Sequence, residues 1–315
     1  MHVGEIVVGR KARYRLAKVL QEVNKVPTVL KAEVLQDERP LIPAHYVVVK
    51  IAAPGHEASR DGLIREYKTL KMQSVAASKY IRTMYDVVSD PMELNDEKRN
   101  DYPGLVLEWF DTTLQDIPPE RYRHNLALLH AIILAVLSSS ATFHSENLVN
   151  TELGISVLPF AMRAPEVWRG LACLHQSEVW ALAAMLLVWM KPGILGTSAI
   201  NGYITGPIWS IAKLMQLFPR WKGPPSDRDF RRDEFEIAEM LSREPDSERQ
   251  GEKRVKVATL EEEMQTMRIP VVLRVLLRVL LIPEPEVRPS ASEALASKEY
   301  QALRKAALAR TEAEG

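Results

Sequence analysis

The hydrophobic pattern changes period about a third of the way along the chain, and this shift is what most limits the fold. Before residue 110, the segments 14–20, 28–34 and 46–52 are rich in aliphatic and β-branched residues, as expected of adjacent antiparallel strands. The chain then turns through Pro54 and Gly55. Leu63, Tyr67, Leu70 and Met72 recur at near-helical spacing with charged residues between them, so a helix follows the third strand. Further strands are expected at 80–88 and 104–110, separated by a polar stretch at 95–102. Beyond them the pattern predicts helices at 122–143, 177–190, 207–217, 232–242, 260–267, 270–281 and 290–298, joined by proline-rich connections. The reading is an α+β chain in two lobes, β-rich at 1–110 and helical at 111–306, with a frayed tail at 307–315. The charged stretch 243–256 reads as a solvated loop.

With 315 residues, 46% of them hydrophobic, the chain can bury a sizeable core. Lysine plus arginine equals aspartate plus glutamate at 41 each, so no net field draws it to nucleic acid or to an anionic membrane. Its single cysteine, Cys173, cannot form an internal disulfide, and the first thirty residues lack a signal-peptide pattern. An intracellular compartment is expected. The segment 126–143 carries no charged residue and is about as long as a short spanning helix. His130 and the serines at 138–140 fit lipid poorly, so a helix buried on most sides of a globular core is expected instead.

Several short elements share a more specific order. Val47, Val48 and Val49 lead into Lys50, and Glu66 follows sixteen residues later in the predicted helix. Leu105, Val106, Leu107, Glu108, Trp109 and Phe110 form an apolar strand ending in an acid and aromatics. Met162, Arg163, Ala164, Pro165 and Glu166 precede Ser177, Glu178, Val179 and Trp180, and Arg288, Pro289, Ser290 and Ala291 come last. In this order the chain resembles the eukaryotic protein kinase superfamily of the Ser/Thr type, over about residues 14–300.

The resemblance implies a two-lobed fold with a small β-rich lobe and a large helical lobe. It implies that Lys50 holds nucleotide phosphates, that Glu66 positions Lys50, that Val29 covers the adenine, that Leu107 is the gatekeeper, and that Glu108 and Trp109 begin the hinge. Ala164, Pro165 and Glu166 would close the activation segment, with Glu166 paired to Arg288. Glu178 stands where family members usually carry aspartate.

The pattern fails where phosphoryl transfer needs it most. A phosphate cradle, metal ligands and an aspartate to orient the attacking hydroxyl are all required. The glycine-rich loop should fall at about 21–29, yet no glycine stands there, and side chains and Pro27 would obstruct backbone approach to phosphate. Asn150, Thr151 and Glu152 fall where His-Arg-Asp belongs, or else Glu152, Leu153 and Gly154 correspond to the metal-binding Asp-Phe-Gly element. One glutamate cannot be both. Eleven residues separate Glu152 from Ala164, where an intact kinase has on the order of forty. Glu152 is at best a remnant, and no intact catalytic residue is expected.

The reading is therefore a catalytically impaired kinase-like protein that binds protein partners and ATP weakly, with magnesium not expected. A truncated or mis-spliced form of an active ATP-dependent kinase, and an unstable remnant, are its alternatives. The histidines and Cys173 show no metal-ligand spacing, and Ser138–Ser140 and His144 next to Ser145 offer no hydrolase nucleophile.

Overall fold

The computed structural model describes residues 2–35, 41–53, 55–88, 104–148, 159–197, 205–223, 231–244 and 254–314. Two compact units emerge, Met1–Thr113 and Leu114–Gly315, close to the division expected from the pattern.

Unit 1 is an antiparallel sheet with one substantial helix. Its strands are β1 (Ile6–Val8), β2 (Arg13–Val23), β3 (Val26–Leu35), β4 (Tyr46–Ile51), β5 (Met84–Val88) and β6 (Gly104–Glu108), in the order β1-β2-β3-β4-β6-β5. Helix α1 (Glu57–Leu70) follows β4, and a short α2 (Gln73–Ala77) follows α1. Alternate residues of a strand face opposite sides, and both sides are covered here. Val47 and Val49 join Leu30, Ala32 and Val106 in one core. Val48 joins Leu105, Leu107 and the α1 residues Leu63 and Tyr67 in another. The continuous Val-Val-Val run thus marks a strand with no wet face.

A buried carboxylate closes the curl of this sheet. Asp86, on β5 and 5% exposed, accepts the Tyr14 hydroxyl at 2.6 Å and the backbone N–H groups of Arg10, Lys11 and Ala12 at 3.2, 2.8 and 3.3 Å. Arg10 N–H also donates to the Val87 carbonyl at 3.2 Å. Since β1 and β5 are the two outer strands, these bonds tie one margin of the sheet to the other. Gly9 is required by space: a Cβ there would lie 2.3 Å from Asp86 Oδ2, which its donors hold in place. Burial and the neighbouring carboxylate raise the Tyr14 pKa well above the usual phenol range.

Unit 2 is helical in every described element: α3 (Pro119–Tyr122), α4 (Leu126–Ser145), α5 (Pro165–Trp168), α6 (His175–Met190), α7 (Gly206–Leu217), α8 (Arg232–Arg243), α9 (Leu260–Thr266), α10 (Val271–Leu280), α11 (Ala291–Ala296) and α12 (Lys298–Glu314), with 3₁₀ turns at Leu114–Asp116 and Phe160–Met162. Helix α6 buries residues all round, Val179, Trp180, Leu182, Ala183, Leu186 and Leu187 among them, as a central helix must. Lys213 on α7 is also buried, with its ammonium donating to the Gly193 carbonyl at 2.7 Å, and burial lowers its pKa to about 8.

Several expectations need correction. The helix expected over 122–143 starts only at Leu126, because Asn125 caps α4 by accepting the Leu128 N–H at 3.0 Å, and Tyr122 instead ends the short α3. Helix α4 is less enclosed than expected: Leu126, Leu129, Ile133, Leu137 and Ser140 form one buried stripe, and most of its other residues are half covered. It is the single helix among the described residues long and apolar enough to cross a membrane.

The tail after residue 306 is not frayed in backbone, since α12 runs to Glu314. Its Tyr300, Leu303 and Ala307 are buried at helical spacing, and the alanines favour helix. The strand expected from 80 starts at Met84, and β1 and α2 were not foreseen. Of the supposed solvated loop 243–256, residues 245–253 lie outside the described residues, while Val255 beyond them is buried. The polar stretch 95–102 and Pro54 also lie outside.

Candidate functional site

Lys50 shares the parity of Val48, so it faces the α1 side of the sheet. Glu66 comes three residues after Leu63 and four before Leu70, which brings it to the face of α1 that meets the sheet. Their side chains form an ion pair. Lys50 is 41% and Glu66 27% exposed at the side chain. A pair this wet contributes on the order of 1 kcal/mol or less to stability, so its weight lies in where it holds two charges.

Apolar residues line up beside it. Val29 stands directly opposite Lys50 across β3 and β4. On the other side Leu105 is opposite Lys50 and Leu107 opposite Val48 across β4 and β6. Directly opposed residues project to the same face, so Val29, Lys50, Leu105 and Leu107 share one surface, with Glu66 above it. Glu108 is turned to other work: its N–H donates to the Thr83 carbonyl at 2.9 Å and its Oε2 accepts the Thr83 N–H at 3.2 Å.

Trp109 packs against the same cluster and donates its indole N–H to Asp111 Oδ1 at 2.8 Å. The Lys31 ammonium lies between two rings, 4.2 Å from the Trp109 centroid and 3.9 Å from that of Tyr46. Sequence reasoning missed Lys31 and Tyr46. The signal was available in strand parity, Lys31 being two positions after Val29 and Tyr46 two before Val48.

At the segment expected to hold a glycine-rich loop, the strands continue almost to the tip. Val23 pairs with Val26, and Asn24 and Lys25 have φ of 51° and 64°. Two central residues in the left-handed region make a type I′ turn. Register shifts between Leu16 and Glu22 bend β2. The tip is thus a closed hairpin with exposed Asn24 and Lys25 side chains, not a cradle of free backbone N–H groups.

In unit 2, Pro165 occupies the first turn of α5, where its missing N–H costs nothing, and Ala164 precedes it as the cap residue. Glu166 and Arg288 form a bidentate pair at 2.8 and 2.9 Å with both side chains fully buried. The remaining Arg288 donors go to the carbonyls of Ile282, Gln176 and Pro283 at 2.7, 2.9 and 3.1 Å. Ser177 Oγ adds a 2.6 Å bond to Glu166. Every donor of the guanidinium is used, the condition under which a buried ion pair is tolerated.

Glu178 accepts from His144 Nε2 at 2.7 Å, and the His144 ring stacks on His175 with centroids 3.9 Å apart and planes 9° from parallel. Neither histidine was anticipated as its partner.

Asn150, Thr151, Glu152, Leu153 and Gly154 lie outside the described residues. Among the described residues no group of three or more His, Cys, Asp or Glu is placed to hold a metal ion. The chain matches no protein-family model, and none of the curated proteins matches it.

Proposed function

We propose that this chain is a protein-kinase-like protein whose unit 1 takes the adenine and sugar of ATP, whose phosphoryl transfer is impaired, and which acts by holding protein partners. On this reading unit 1 is the small lobe and unit 2 the large one. The observation that carries it is the Lys50–Glu66 ion pair beside Val29 and Leu107 on one sheet face. A wet ion pair adds little to stability, but a positioned ammonium next to apolar side chains suits a phosphate joined to a flat apolar ring.

The fit to ATP is partial. Apolar residues for the base and an ammonium for phosphate are present, whereas the type I′ tip leaves no run of free N–H groups to wrap the phosphates. Magnesium would have to find carboxylates elsewhere than at this face, where Glu66 already serves Lys50.

Thermal unfolding with adenosine, ATP and ATP plus magnesium tests the reading. Adenosine and ATP should both raise the melting temperature, with magnesium adding little. Lys50→Met should remove the advantage of ATP over adenosine. No shift with either ligand at millimolar concentration would overturn adenine binding. Transfer of labelled phosphate to a peptide library, abolished in Lys50→Met, would overturn the impairment.

A further inference from the structure

Helix α4 ends in a Schellman motif. Leu148 N–H donates to the Phe143 carbonyl at 2.9 Å and Asn147 N–H to the His144 carbonyl at 3.0 Å, with Asn147 left-handed at φ 55°. His144 therefore belongs to the turn that sets how the chain leaves α4. Its ring is packed face to face with His175, the first residue of α6.

We propose that Glu178, His144 and His175 form a proton-sensitive joint, which locks the last turn of α4 onto the first turn of α6 while His175 is neutral and opens when His175 is protonated. Glu178 is the carboxylate hydrogen-bonded to the stack among the described residues, and it takes the His144 Nε2–H. A proton on His175 would put positive charge against a second imidazole 3.9 Å away. It would also sit at the positive end of the α6 dipole.

The other ionisable groups nearby give little relief. Cys173 precedes α6 with its thiol pKa raised by burial, and Glu166 of α5 is engaged by Arg288 and Ser177. Burial and then His144 hold the His175 pKa below the ordinary imidazole value, with Glu178 opposing them. A base whose folded pKa is depressed contributes stability that is full above about pH 6.5 and lost as pH falls through the depressed value.

Stacked rings aim their in-plane lone pairs side by side rather than at a common point. A proton fits this geometry better than a metal ion does.

The test is histidine side-chain NMR on the full chain from pH 8 to 5, followed together with the Asn147 amide. His175 should take up its proton below the usual range, and the Asn147 resonance should move in the same step. His175→Phe keeps a stacking ring without a basic nitrogen, and should lose the Asn147 step while melting at pH 8 as the parent does. His144→Phe should move His175 protonation up toward the ordinary value, and carries the test if His175→Phe does not fold. An Asn147 amide indifferent to His175 titration, a step that persists in His175→Phe, or no upward movement in His144→Phe would each overturn the joint.

Discussion

The Tyr14 hydroxyl donates a 2.6 Å hydrogen bond to the Asp86 carboxylate, although the two residues belong to strands at or beside opposite margins of the sheet. With the N–H groups of Arg10, Lys11 and Ala12 on the same carboxylate, this contact holds unit 1 in its curled form. Tyr14→Phe should cost about 2 kcal/mol, the worth of a hydrogen bond to a charged group. Asp86→Ala should cost about 3–5 kcal/mol, because it strands buried donors as well. Denaturant titrations of the single and double variants would show strong coupling, and additive losses would contradict the geometry.

The hairpin tip carries Asn-Lys where a type I′ turn prefers Asn-Gly. Lys25→Gly relieves a left-handed non-glycine residue and should stabilise the chain by up to about 1 kcal/mol. A measured loss of melting temperature would mean that Lys25 is not in this conformation.

Arg288→Lys keeps a positive charge but cannot make the two-pronged contact with Glu166 or supply the three carbonyls beyond it. A loss of about 3–5 kcal/mol in the unfolding of unit 2 is expected. Replacing Glu166 and Arg288 together with apolar residues of similar volume should cost less than the sum of the single changes.

Alkaline pH should strengthen unit 2. Lys213 has its pKa lowered to about 8 when folded, against 10.5 as the ordinary value. Between these values the unfolded chain binds the proton and the folded one does not, so stability rises with pH across that window, by roughly 3 kcal/mol in total. Lys213→Met should flatten the rise between pH 8 and 10, measured as unfolding free energy at each pH. A slope unchanged by the substitution would rule out this lysine as its source.

The sequence was most legible where geometry is local. The pairing of Lys50 with Glu66, expected from the kinase resemblance, is met by local geometry, since strand and helix periods fix side-chain direction along Val47–Lys50 and from Leu63 to Leu70. Contacts made across distant segments were less legible. Nothing local in Asp86 says that its carboxylate will be buried under the turn from Gly9 to Ala12, since that depends on how far the whole sheet curls. Likewise Lys31 found two aromatic rings, and His144 found Glu178 and His175, through packing that no single window of sequence contains. Helix boundaries slipped where a cap decided them, as at Asn125.

The Glu166–Arg288 clasp joins positions 122 residues apart, and every group that satisfies it lies between Gln176 and Arg288 or at Glu166 itself. Residue 152 and its neighbours stand upstream of the loop that this clasp closes. A change of length there leaves the loop closed by the clasp the same length, so the clasp stays unstretched.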